Sequence, residues 1–262
     1  MNEQEIMLAV QYHHNLVISK GYNVIMTSLI GSQNYGLDHD GSDIDTYSLI
    51  YPSWDEFLHF GDAKAGIILA EDGHCNFKDM RIALNLLEKT SPNSIEYFTS
   101  KYKIYNPNYA SVLKYFLEDN DRLYKMIHCN YNHMLHAIAG MAHQLTKRNM
   151  PAGKRFSHAL RLDSMLYNFF NNKNANAILD LRSEADRTFA LQAKLNMNPD
   201  DDKFYNHECD MIANKLDIYK NVFKCSDEQE ILEREGLRLI DSFRWQIGSI
   251  YLMMETKKNN GD

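Results

Sequence analysis

The residues with the clearest chemical meaning lie between Gly31 and Asp45, in the run GSQNYGLDHDGSDID. Asp43 and Asp45 flank one apolar residue, Ile44, and open the β-rich run DIDTYSLIY. Side chains alternate along a strand, so this spacing sets both carboxylates on one face and turns Ile44 into the core. Two carboxylates held that close repel unless something positive lies between them. Magnesium suits the pair, because it takes oxygen ligands and is held by one or two carboxylates together with substrate phosphates. Manganese is the alternative, since it favours the same oxygen donors.

Gly31 and Ser32 supply the other half of the pattern. They end an apolar run, NVIMTSLI, that reads as a buried strand over 23–30. A glycine at a strand end lets a phosphate approach the backbone closely. A serine opening a short helix offers its hydroxyl and nearby amides to an anion. Metal and loop would then grip one triphosphate from two sides, as in-line phosphoryl chemistry requires. Neither Asp-x-Asp nor Gly-Ser is specific by itself; their ordered combination, about ten residues apart and between two strands, is. An EF-hand calcium loop does not fit. Counted from Asp38, glycine is fourth instead of sixth and the twelfth residue is Leu49, where a glutamate is needed. Asp38 and Asp40 are read as solvating the loop.

The elements that must position these groups divide the chain in two. Residues 1–107 read as mixed α and β: an opening helix over 4–19, the two strands, then a hairpin around Asp72-Gly73 with a type I′ turn. Met80, Ala83, Leu84 and Leu87 fall at helical spacing directly after it. Residues 108–262 read as all-helical. One apolar stripe runs through Met134, Ile138, Met141 and Leu145, and another through Ala159, Leu162, Leu166 and Phe169. Both are core stripes. Ser226 and Gln229 form a capping box for a last long helix to about Thr256, and 257–262 reads as a frayed tail. The fold class is therefore α+β, a catalytic domain over 1–107 followed by a helical domain over 108–262.

The segment GSQNYG…SDIDTYSLIY resembles the active-site motif of the polymerase-β-like nucleotidyltransferase superfamily. More narrowly it resembles the predicted nucleotidyltransferases associated with RNA repair, a bacterial and phage group. The likeness extends to DMRIALNLLEKTSPNSIEYF, residues 79–98, although Pro92-Asn93 inverts the expected Asn-Pro order. It covers about residues 23–105 well and the helical half only faintly. The resemblance implies transfer of a nucleoside monophosphate from a nucleoside triphosphate to an acceptor hydroxyl, with release of pyrophosphate. Asp43 and Asp45 would hold two magnesium ions, and Gly31 and Ser32 the phosphates. It further implies a third carboxylate on a neighbouring strand. Asp79 is the candidate, with helix N-capping as its alternative role; Glu71 and Asp72 are the fallbacks. An RNA 3′ end as acceptor is suggested by the resemblance alone. A protein or small-molecule hydroxyl is the second enzymatic reading, and a non-catalytic nucleotide-binding module the third.

Other candidates are weaker. Lys154, His158 and Arg161 lie at i, i+4 and i+7 with Arg155 beside them. They read equally as a solvated helix face or, by the resemblance, as a basic element beside the nucleotide, with Lys154 and Arg161 neutralising charge from the helical side. Glu96 reads either as a partner of a basic residue near the site or as a solvated helix position. Cys129 with His133, His136 and His143 has no common zinc spacing. His13-His14 reads as surface. The four cysteines are scattered, which fits a reduced cytoplasm. A net charge of −7 argues against a general nucleic-acid coat, leaving room only for a local basic patch. With 44% hydrophobic residues a sizeable core can form, and no run approaches the roughly 18 apolar residues of a membrane span. The first nine residues lack the basic start and apolar run of a signal peptide. Oligomeric state leaves no trace in the sequence.

Overall fold

The structure is a computed structural model that describes residues 2–53, 56, 61–196 and 198–260. Helix α1, Glu3–Ser19, starts at Asn2, whose side chain caps Glu5 while Glu5 caps back. Strand β1 (Asn23–Ile30) is buried over most of its length, including Thr27 and Ser28, which interrupt its apolar run. A 3₁₀ turn over Ser32–Tyr35 follows, then β2 (Ile44–Tyr51), β3 (Ala65–Leu69) and β4 (Gly73–Asp79). Helices α2 (Met80–Glu88) and α3 (Pro92–Thr99) lead to a short β5 (Lys103–Tyr105). The strand order is β3-β4-β2-β1-β5. All neighbours are antiparallel except β2 and β4, which run parallel.

The chain is helical from Ala110 on. Helices α4 (Ala110–Leu117), α5 (Asn120–Ile127), α6 (Tyr131–Lys147) and α7 (Ala152–Asn171) precede α8 (Glu184–Leu195), α9 (Asp202–Val222) and α10 (Asp227–Asn260). The mixed sheet followed by helices makes the protein α+β. The Ser226–Gln229 capping box forms as its sequence requires. Helix α10 runs on past Thr256 to Asn260, while Gly261 and Asp262 lie outside the described residues. No helix among the described residues is long and apolar enough to cross a membrane.

One face of the sheet packs on α1 through Ile6, Val10 and Val17. The other packs on helices: Tyr47 meets Tyr97 of α3, and Tyr51 stacks on Tyr251 of α10 at 4.0 Å. A single apolar core therefore runs from Ile25, Met26 and Leu49 in the sheet to Phe169 and Phe243 in the helices.

Two local expectations change. The β3–β4 hairpin forms, but Glu71 and Asp72 both have negative φ, so its turn is not type I′. His13 and His14 are buried in the interface between α1 and the sheet. His13 bridges Thr46 and Asp72, and His14 bonds Thr27. They alternate with apolar residues on a face that the sheet covers, and the hydroxyls of β1 and β2 satisfy them.

Candidate active site

Asp43 immediately precedes β2 and Asp45 is its second residue. Ile44 between them is 4% exposed and packs with Ile6, Val10 and Leu29, whereas Asp43 is exposed and Asp45 half-buried. The strand's alternation thus delivers the side-by-side carboxylates. The register pairs Ile30 with Asp45, which brings the end of β1 against the pair. Gly31 has φ +93°, in the region that L side chains avoid. A Cβ there would lie 3.8 Å from Asp45 Oδ2, an ordinary contact, so backbone conformation and not crowding demands the glycine.

The turn after Gly31 is pinned from several directions. Gln33 donates its side-chain amide to the Asp43 carbonyl at 2.8 Å, and Asn34 donates to the Leu29 carbonyl at 2.8 Å. The Gly31 N–H donates to Glu96 Oε1 at 2.6 Å. Glu96, in α3, is buried, and it also bonds the Tyr35 hydroxyl. Burial first, and then the charge of Glu96, holds that hydroxyl protonated far above its usual range. The Arg161 guanidinium lies 4.2 Å over the Tyr35 ring. Gly31, Glu96, Tyr35 and Arg161 therefore link the loop to α7. Glu96 is buried, not solvated, and the partners that hold it are a backbone N–H and a tyrosine hydroxyl in place of the expected basic residue.

Between the loop and the helices lies a cleft of about 340 Å³. Gly31, Ser32, Asp43 and Asp45 line one wall; Lys154, His158 and Arg161 of α7 and Lys194 of α8 line the other. Acidic oxygens face a cluster of cations across a space suited to a small polyanion. The Arg161 Nε is buried without a hydrogen-bond acceptor among the described residues. His158 is not part of the positive charge: burial, then Arg161, Lys154 and Lys194, push its pKa down to about 3. Burial and Lys154 likewise lower that of Lys194, whose Nζ donates to the Leu37 carbonyl at 2.8 Å.

The cleft brings together Gly31, Ser32, Asp43, Asp45, Lys154 and Arg161, and it excludes Asp79. The parallel register pairs Asp45 with His74, and Ile50 with Asp79. Asp79 therefore sits five positions further along the sheet, roughly 16 Å away at 3.3 Å per residue. It is buried, caps α2 through the Arg81 N–H and is paired with the Arg81 guanidinium. The alternative reading, a helix cap, is the correct one. Of the fallbacks, Asp72 bonds His13 on the α1 side and Glu71 is an exposed turn residue. Arg155 also leaves the cleft, since its guanidinium binds the Thr146 and Arg148 carbonyls and Asn206. Cys129 donates its thiol to the Met126 carbonyl. Lys194 escaped sequence reasoning because no local pattern ties it to the loop that it faces.

No cluster of three or more acidic, histidine or cysteine side chains is assembled for a metal among the described residues. A pair of carboxylates open to a polyanion's cleft still fits magnesium, which completes its shell with phosphate oxygens and water. No curated protein matches the chain. The family described as RlaP, RNA repair pathway DNA polymerase beta family, matches residues 4–168, which is well over half of the chain and takes in Gly31, Ser32, Asp43, Asp45, Lys154 and Arg161. The chain belongs to this RNA repair pathway DNA polymerase beta family.

Proposed function

We propose that the protein is a metal-dependent nucleotidyltransferase that joins a nucleoside monophosphate to the 3′ hydroxyl of an RNA and releases pyrophosphate. The carrying observation is the opposition of charge across the cleft: Asp43 and Asp45 on one wall, Lys154, Arg161 and Lys194 on the other. A triphosphate with divalent cations is complementary to both walls at once, which neither a bare anion nor a bare cation would be.

In this reading Asp43 and Asp45 hold magnesium, or manganese in its place. When bound, such ions neutralise developing charge on the phosphates and lower the pKa of a coordinated hydroxyl. Ser32 offers its hydroxyl to the phosphates at the mouth of the 3₁₀ turn. Arg161, oriented by the Tyr35 ring, and Lys154 and Lys194 neutralise the phosphates from the helical side. Glu96 holds Gly31 in place without touching the nucleotide. The acceptor oxygen attacks the α-phosphorus and forms the new O–P bond. The α–β bridging bond breaks, pyrophosphate departs, and the hydroxyl proton passes to solvent.

The test is mass spectrometry of products after incubation with each nucleoside triphosphate, magnesium and total cellular RNA. The reading expects RNA extended by a nucleotide residue, with one pyrophosphate per addition. RNA of unchanged mass, with the nucleotide found on a protein or small molecule, would replace RNA as the acceptor. No transfer to any acceptor would leave a nucleotide-binding module.

A further inference from the structure

The parallel pairing of β4 with β2 sets His74 beside Asp45 on the same sheet face. His74 Nδ1 lies 2.9 Å from Asp45 Oδ1. A carboxylate oxygen only accepts, so Nδ1 carries the hydrogen in this contact and Nε2 is the ring nitrogen turned away from Asp45. The His74 side chain is 47% exposed. Its neighbour on the other side, Leu69 of β3, is 74% exposed, so this end of the sheet face is open to an incoming molecule.

The two oxygens of Asp45 serve different sides. Oδ2 lies toward Gly31 and the phosphate loop, while Oδ1 is bonded to His74. A nucleotide in the cleft and an acceptor arriving over β4 would meet at Asp45 from opposite directions.

We propose that His74 is the acceptor-side residue of this site. Its Nε2 accepts a hydrogen bond from the attacking ribose hydroxyl and aims that oxygen toward the cleft, while its Nδ1–H fixes the orientation of Asp45. One imidazole thereby orders both the metal-binding carboxylate and the nucleophile, and positioning of this kind dominates phosphoryl chemistry. The inference rests on the nucleotidyltransferase reading above.

The test compares full-length wild type, His74→Ala and His74→Gln with magnesium, a nucleoside triphosphate and short oligoribonucleotides bearing a free 3′ hydroxyl. kcat and the acceptor KM are measured, together with nucleotide affinity and melting temperature. His74→Ala should lower kcat/KM for the oligoribonucleotide by roughly 10–100-fold, the usual cost of losing a supporting contact at such a site. Nucleotide affinity should fall by much less than the acceptor kcat/KM, because Asp43 and the cations of the far wall remain, and the melting temperature should stay at the wild-type level. His74→Gln, whose Oε1 reaches the Nε2 position, should recover part of the loss. Unchanged acceptor kinetics in His74→Ala, with active wild type, would overturn this inference and leave the nucleotidyltransferase reading standing. An equal loss of nucleotide affinity would place His74 on the nucleotide side and overturn it too. Wild type that transfers to no acceptor would overturn both.

Discussion

At the scale of single residues, His158 makes the cleft sensitive to pH. Burial and four neighbouring cations push its pKa from the ordinary 6.5 to about 3. Between those values the unfolded chain binds a proton that the folded ring refuses. Stability therefore falls as pH drops through that window. His14 and His128, also lowered by burial, act in the same direction. Urea unfolding at pH 7.5 and at pH 5 should show a smaller loss in His158→Gln than in wild type; an identical loss would mean that the native ring is not held neutral. Glu96 makes a different prediction. Glu96→Ala leaves the Gly31 N–H and the Tyr35 hydroxyl without their acceptor and should cost about 1–3 kcal/mol, with Glu96→Gln milder because it keeps an oxygen. Thermal melts that do not separate the three proteins would contradict that linkage. The carboxylate pair and Gly31-Ser32 were legible in the sequence because alternation and a fixed spacing are local signals. The role of Glu96 was not, since a backbone N–H partner has no residue type to recognise.

At the scale of elements, the shape of the helical wall depends on how closely two helices approach. A Cβ on Gly153 would lie 1.9 Å from the Ala193 carbonyl oxygen, so α7 and α8 touch there only because residue 153 is glycine. Lys194 is the next residue along α8. Gly153→Ala should push α8 outward, lower stability by about 1–3 kcal/mol and weaken nucleotide binding several-fold. A normal nucleotide dissociation constant in a destabilised Gly153→Ala would remove Lys194 from the site. The distance of Asp79 from the cleft is set at this scale too. The hairpin and the helix after it were readable from spacing, yet nothing local says whether β4 runs with or against β2. Because it runs parallel, its first residues lie beside Asp45 and Asp79 lies at the far end.

At the scale of the molecule, a chain of net charge −7 gathers Lys154, Arg161 and Lys194 on one wall of the cleft. If RNA reaches that wall, Lys154→Ala should flatten the salt dependence of oligoribonucleotide binding by about 0.7 log units per lost contact. Arg155→Ala, whose guanidinium ties three helical segments together, should lower stability and leave the slope alone. The opposite pattern in filter-binding titrations would mean that the basic helix faces RNA on another side. The order of sheet and helices could be read from periodicity, but the pairing of the two walls could not, because it depends on packing between segments more than a hundred residues apart. Nucleotidyl transfer requires that pairing, and label transfer tests it most directly. Triphosphate labelled at the α- or the γ-phosphate is incubated with magnesium and RNA, using wild type, Asp43→Asn and Asp45→Asn. Wild type should pass the α label to RNA and leave the γ label in pyrophosphate. Each variant should stay folded and lose more transfer than the roughly 10–100-fold that a supporting contact costs. Transfer of the γ label, or wild-type turnover in either variant, would contradict the account.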